Sequence, residues 1–304
     1  MLVVVTCLIF SGEKAVRADG HGPLFGYSTT ILGLGDASIG TEVDWRSGVY
    51  MLGPVFAYGA KPNLQISISA PFHLDHGEHP TGRYMAFMPG DPSVEFLLGW
   101  RFLHSSTGIA TRNEATFYAG ASALTQHVPR GDGPPLARQP GLYGALAVGH
   151  VARSYDLWVG GGYQHYARWT SNVDDHQTDS LLTSFVVGWR PSFLNGDYPR
   201  ADLRLFLETT AEKMGLAQRD FEPTSGNDEH GGPPPPPNPS GIVVLPNSGG
   251  TGVFSGPTFL VTHRNVAVQG GVLFALLDEP NGTQKHERYR VAASFTYYFL
   301  GRHK

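Results

Sequence analysis

The chain has little of several things that most soluble enzymes and helical membrane proteins contain. It has one cysteine, Cys7, in 304 residues, and only 16% of its residues are charged. A single cysteine excludes an internal disulfide and any metal site built from several thiolates. The net charge of −4, without a basic stripe, argues against nucleic-acid binding. No segment approaches the roughly 18 consecutive apolar residues of a membrane-spanning helix.

The first residues are typical of a secretion signal. Leu2 to Phe10 form an apolar run that is too short to cross a bilayer as a helix. Val16 and Ala18 then supply the small residues that precede a signal-cleavage site. We therefore predict that residues 1–18 are a signal peptide and that the mature chain has no thiol. No Lys or Arg precedes the apolar run, so the alternative is a buried N-terminal strand.

Alternation of apolar and polar residues dominates the rest of the chain. From Val94 to Phe102 every second residue is apolar, a period that is typical of a strand with two different faces. Most such segments have about 10–14 residues, longer than globular strands and sufficient for a tilted strand to cross a bilayer. About twelve segments follow the pattern: 37–47, 49–59, 63–72, 93–104, 110–124, 140–152, 154–167, 179–190, 201–212, 251–262, 265–277 and 286–300. The sequence predicts an all-β fold, a single antiparallel transmembrane β-barrel of about 12 strands over residues 19–304.

The connections between these segments alternate between short and long, apart from the short first link at Gly48. The long ones are 73–92, 125–139, 168–178, 213–250 and 278–285, and 213–250 is expected to be a long flexible Pro/Gly-rich outer loop. Barrels of the Gram-negative outer membrane have short periplasmic turns and long outer loops, so both termini are predicted to be periplasmic. Pro54 and Pro257 fall inside predicted strands, where we expect bulges or shorter strands. Aromatic residues near strand ends are candidates for the two interfacial girdles: Trp45, Tyr50, Tyr58, Trp100, Phe102, Tyr155, Trp189 and Tyr297.

The opposite faces of the predicted strands carry charge. Dry burial of unpaired ions is costly, so these side chains predict either a wet channel or an ion-paired interior that fills the barrel. The residues predicted to face the lumen are Glu42, Asp44, Arg46, Glu95, Arg101, Arg112, Glu114, Arg204, Glu208, Arg288 and Arg290.

One predicted outer loop has the composition of a metal-capture site. His73, His76 and His79 are three residues apart, with carboxylates between them. Imidazole and carboxylate suit Cu or Zn, so transient binding of either ion is one hypothesis. The alternative is a solvated His-rich loop without a specific site. We expect no resident cofactor.

Several segments resemble a family of bacterial outer-membrane barrels labelled transporters or proteins of the meta-pathway of phenol degradation. The resemblance rests on residues 21–26, 88–102, 246–258 and 295–299, whose sequences include HGPLFG, MPGDPSVEFLLGWRF, PNSGG with FSGPT, and FTYYF. It implies a barrel and passage of small hydrophobic or metallic solutes. It implies no catalytic residues.

The leading hypothesis is therefore an outer-membrane barrel that passes or binds small solutes, either aromatic compounds or metal ions. Its expected partners are outer-membrane lipid and the solute, and not nucleic acid. We expect that the chain is not an enzyme, because it contains neither a G-x-S-x-G nor an H-E-x-x-H motif. The alternative is a plugged barrel that displays its loops to partners or senses metal.

Overall fold

The computed structural model describes most of the chain outside the N-terminus and the long loops. The described residues are 22–46, 49–70, 72–73, 93–108, 110–124, 128–130, 133–136, 140–166, 175–176, 179–194, 200–216, 218–220, 242–244, 249–282 and 286–301. Among them, no helix is long and apolar enough to cross a membrane.

Twelve antiparallel strands form one closed barrel. β1 pairs with both β2 and β12, which closes the sheet on itself, and every other strand pairs with its neighbours along the chain. The predicted fold class is thus confirmed. The strands are β1 (Ala37–Arg46), β2 (Val49–Lys61), β3 (Leu64–Ser69), β4 (Ser93–Gly108), β5 (Thr111–Leu124), β6 (Pro140–Val151), β7 (Tyr155–Tyr166), β8 (Ser180–Trp189), β9 (Asp202–Met214), β10 (Gly250–His263), β11 (Val266–Pro280) and β12 (Tyr289–Phe299).

The two prolines that fall inside predicted strands, Pro54 and Pro257, coincide with interruptions of the backbone pairing between strands. β3 ends at Ser69 beside Pro54, and a two-residue continuation, Phe72–His73, resumes the pairing with β2. In β10 the register against β11 shifts between Val253 and Phe254, and the paired residues stop on both sides of Pro257. A proline has no N–H for the ladder, so these irregularities fall where the sequence predicts them.

The two faces of the wall differ in chemistry. Along β7, Asp156, Trp158 and Gln164 point inward and are at most 1% exposed, whereas Val159 and Tyr163 point outward and are about half exposed. Large apolar side chains are exposed in the same way around the exterior of the other strands. The barrel is therefore polar inside and apolar outside, the reverse of a water-soluble protein.

The two ends of the barrel also differ. At the end where β1 begins, the strands are joined by short links such as Pro62–Asn63 and Arg264–Asn265; this is the short-turn end. The opposite, long-loop end carries a second sheet of five short strands from three loops, which run over Val128–Arg130, Gly133–Leu136, Asp175–His176, Gln218–Asp220 and Ile242–Val244. The predicted loop 213–250 thus has strands near both ends; its residues 221–241 lie outside the described part of the chain.

Candidate functional site in the barrel lumen

The segment from Gly22 to Asp36 lies inside the barrel and forms an internal plug. Phe25, Ile31 and Leu32 are at most 4% exposed, although no regular secondary structure contains them. The segment hydrogen bonds to inward-facing side chains of six strands, β3, β5, β7, β8, β9 and β11. It therefore crosses the lumen and contacts side chains from half of the strands of the wall. We call residues 22–36 the plug.

Glu208 on β9 is the strongest attachment point of the plug. Its Oε1 accepts a hydrogen bond from the backbone N–H of Leu24 at 2.8 Å. Its Oε2 accepts from the N–H groups of Phe25 and Gly26 at 2.8 and 2.9 Å, and the Thr258 hydroxyl donates to Oε1. The carboxylate is fully buried, so these four donors replace its lost hydration.

A second attachment lies around Thr29. Its hydroxyl donates to Oε2 of Glu114 at 3.0 Å and accepts from the Trp158 indole N–H at 3.1 Å, while its carbonyl accepts from Thr116 at 2.8 Å. All four side chains are fully buried. The middle of the plug is thus fixed to β5 and β7.

Near its end the plug lies directly on β2. The N–H of Gly35 donates to the carbonyl of Gly59 at 2.8 Å, and Asp36 accepts from the Gly59 N–H at 2.9 Å. A Cβ at Gly59 would lie 1.8 Å from the Gly33 carbonyl oxygen, so only glycine permits this approach. Gly35, at φ +76°, makes the turn that leads into β1.

Glu114 also binds basic side chains near the short-turn end. Its Oε1 lies 3.0 Å from Arg101 Nη1, 2.9 Å from Arg112 Nε and 3.1 Å from His104 Nδ1. One carboxylate therefore contacts two guanidinium groups and one imidazole, and it orders three side chains of the β4–β5 hairpin.

Two further clusters of ion-paired side chains lie on the inner face of the barrel wall. At the short-turn end, Arg204 Nε contacts Asp202 at 2.9 Å, and Arg190 Nη2 contacts the same aspartate at 3.1 Å. At the long-loop end, the fully buried Arg290 donates to Glu287 and Glu212, and its guanidinium carbon lies 3.5 Å from the centroid of the Phe254 ring.

A cavity of about 340 Å³ adjoins the plug. Its lining combines aromatic faces with amides. Burial raises the pKa of the Tyr27 hydroxyl, and the nearby Tyr118 raises it further, so this phenol is neutral. The Tyr27 and Tyr118 rings stack with centroids 6.4 Å apart. The cavity is lined by Gly22, Pro23, Gly26, Tyr27, Ser28, Thr30, Gln65, Leu97, Tyr118, Tyr143 and Gln269.

The residues predicted to face the lumen divide into three groups. Asp44, Glu114, Arg204, Glu208 and Arg290 are buried at 2% exposure or less. Glu42, Glu95, Arg101 and Arg112 are half-buried. Arg288 is exposed in the segment just before β12, and the side chain of Arg46 lies outside the described part of the structure.

The predicted metal ligands fall largely outside the described residues. His76 and His79 lie outside them, and His73 is described only in its backbone, which pairs with Met51. Among the described residues, no group of three or more His, Cys, Asp or Glu side chains could hold a metal ion.

The plug and the tyrosines of the cavity are functional candidates that the strand pattern misses. The plug has no period of two or of 3.6, and Tyr118 and Tyr143 occupy inward positions that alternation marks only as one face of a strand. Their partners are remote in sequence, as with Phe25 and Glu208, so local patterns carry no signal for the contact.

No known protein-family model matches the chain. No curated protein sequence matches it. Among solved structures, it is similar to an outer membrane channel from Pseudomonas putida F1, with a TM-score of 0.56 and 12% identity over 88% of this chain and 97% of that one. It also matches LpxR from Salmonella typhimurium (TM-score 0.41, 8% identity, 86% of this chain and 100% of that one). A third match is the translocator domain of the autotransporter NalP from Neisseria meningitidis (0.37, 13%, 88% and 89%).

These similarities concern the fold. Together with the closed wall and the apolar exterior, the similarity to the P. putida channel identifies the chain as an outer-membrane β-barrel. At 12% identity, the solute of the P. putida channel does not transfer to this chain.

The expectation that the chain is not an enzyme is corrected by the LpxR match, because LpxR is an outer-membrane enzyme. That expectation rested on two missing motifs, and a barrel wall can carry catalytic side chains without either of them. At a TM-score of 0.41 the match assigns no activity to this chain.

Proposed function

We propose that this barrel binds a small uncharged solute in its lumen and passes it across the outer membrane, with the plug as an internal gate. The observation that carries the proposal is the cavity of about 340 Å³ beside the plug. A cavity of about 150 Å³ suffices for benzene, so a substituted single ring fits this volume.

The lining favours an aromatic solute over a metal ion. Tyr27, Tyr118 and Tyr143 offer ring faces and hydroxyl groups, and Gln65 and Gln269 offer amide donors and acceptors. The described lining includes no carboxylate or imidazole. This chemistry agrees with the resemblance to barrels of phenol degradation, and a hydroxylated aromatic compound is the solute class we propose. Metal binding by His73, His76 and His79 is not part of the proposal.

Calorimetry with catechol tests the binding site. Leu97 lines the cavity, whereas Leu98, the next residue of β4, faces outward. We expect Leu97→Trp to fill the cavity and reduce catechol affinity at least about tenfold, because a bulky indole removes the volume that the ring needs. Leu98→Trp is the matched control and should bind like the unmodified barrel. Equal binding by both variants would place the solute elsewhere.

A plugged barrel that only displays its loops is the second candidate. The observation that favours it is the number of hydrogen bonds that hold the plug, including three backbone N–H groups on Glu208. Conductance separates the two functions: a gate opens in part of the population in planar bilayers, whereas a permanent plug gives no conductance above leak.

Removal of residues 1–18 as a signal peptide is also proposed, and N-terminal sequencing of the exported protein tests it.

A further inference from the structure

Basic side chains project from the short-turn end of the barrel. Lys61, Arg153, Arg200 and Arg264 are all exposed, and each lies at or beside a different link between strands. They are therefore distributed around the mouth and not gathered on one strand pair. We call these four residues the basic rim.

The described acidic residues at the same end are buried. Asp36, Glu114, Asp156 and Asp202 are at most 5% exposed. Asp36 accepts from the N–H of Gly301, while the others face the arginines of the lumen wall. Within the described part of the chain, the exposed formal charges of this end are thus all positive.

Three of the four rim cations are not consumed by ion pairs within the described part of the chain. Lys61, Arg200 and Arg264 form none with the described carboxylates. At the long-loop end, by contrast, exposed charges of both signs occur, such as Lys213, Glu279 and Arg288. The rim therefore has a field of one sign that acts outside the protein.

The rim also lies at a defined depth. Lys61 follows the exposed Tyr58 by three residues, and Arg153 precedes the exposed Tyr155 by two. At about 3.3 Å per residue, the cations lie roughly 7–10 Å along the strands beyond the aromatic side chains. Interfacial aromatics sit near the edge of the hydrocarbon, so this is the level of the lipid phosphates.

We infer that the basic rim binds anionic phospholipid headgroups of the periplasmic leaflet. Guanidinium and ammonium groups at phosphate depth attract phosphodiesters, and no exposed carboxylate among the described residues of this end opposes that attraction. The short-turn end is periplasmic in outer-membrane barrels, so the partner is phospholipid of that leaflet. This inference does not depend on what the lumen carries.

Native mass spectrometry of the folded barrel with phosphatidylglycerol or phosphatidylcholine tests it. We expect the unmodified barrel to retain phosphatidylglycerol preferentially, and Lys61→Gln/Arg264→Gln to reduce that preference about tenfold or more. The matched control, Lys213→Gln/Arg288→Gln, removes one Lys and one Arg from the long-loop end and should retain the preference. Heat-modifiable electrophoretic mobility verifies that all variants are folded.

Two results would overturn the inference. Unchanged phosphatidylglycerol retention in the rim variant would mean that the rim does not hold lipid and would leave an acidic periplasmic protein as its partner. Equal loss in both double variants would mean that net charge, and not the position of the rim, governs retention.

Discussion

Two buried carboxylates of the lumen are satisfied by groups from a distant part of the chain. Glu208 is paired not with a cation but with three backbone N–H groups of the plug. Glu114 binds the Thr29 hydroxyl as well as two arginines. Because an unsatisfied buried ion costs several kcal/mol, the plug and the wall depend on each other at the level of single residues.

Arg290 offers the sharpest test of this balance. It is fully buried, donates to Glu212 and Glu287, and covers the Phe254 ring. Arg290→Ala leaves two carboxylates beside each other without their cation, so we expect the free energy of unfolding to fall by about 3–5 kcal/mol. Urea unfolding of the barrel refolded into lipid vesicles measures it.

Arg288 provides the control for the same chemical change. It lies two residues earlier and is exposed, so Arg288→Ala should alter the free energy of unfolding by less than about 0.5 kcal/mol. If Arg290→Ala were as mild as Arg288→Ala, the buried ion pairs would not contribute to stability.

At the scale of elements, the strands were predictable and the plug was not. Segment 140–152 corresponds to β6, Pro140–Val151, because the outward side chains meet lipid and the inward ones meet the polar lumen along the whole strand. β4 and β11 are each longer than predicted, since they extend to Gly108 and Pro280 after the apolar alternation ends. Backbone pairing in a barrel continues where the sequence pattern has stopped.

The plug could not be predicted from the sequence, and the reason is physical. Its backbone groups bond to side chains and not to a neighbouring strand, so no period is imposed on its sequence. Its one turn with a positive φ falls at Gly35, a residue type that adopts this conformation without strain. Which inward carboxylate holds the plug is decided by register and closure, which are properties of the whole sheet.

A reversible cross-link tests whether the plug is a gate. An ideal Cβ at Gly26 lies 3.3 Å from the Cβ of Ser184 on β8, close to the separation of a disulfide. We expect the oxidised Gly26→Cys/Ser184→Cys barrel to show reduced single-channel conductance, because the plug can no longer leave the wall. Reduction by dithiothreitol should restore it.

The two single-cysteine variants are the controls and should not respond to oxidation or reduction. Cys7 is the chain's one native cysteine, and replacing it by Ser removes any competing thiol. Conductance that is identical in the oxidised and reduced double variant would assign the gate to another element.

At the scale of the whole molecule, the distribution of polar and apolar side chains indicates which solvent surrounds the barrel. Exposed Val159 lies on β7 between Tyr155 and Tyr163, four residues from each on the same outward face. At about 3.3 Å per residue, it is some 13 Å along the strand from either aromatic ring, near the middle of the apolar band. A soluble barrel would tolerate a charge at this position, whereas a barrel in lipid would not.

Val159→Arg therefore tests the environment of the entire barrel. We expect it to lower the free energy of unfolding in vesicles by about 2–4 kcal/mol, and Tyr155→Arg, at the interface, by no more than about 1 kcal/mol. The difference arises because an arginine at the end of a strand reaches the headgroups, while one at mid-strand must desolvate or thin the bilayer. Urea titrations of both refolded variants, at equal lipid composition, give the two values. Equal values would mean that β7 does not cross a membrane at this depth, and both the outer-membrane assignment and the lumen function built on it would fail.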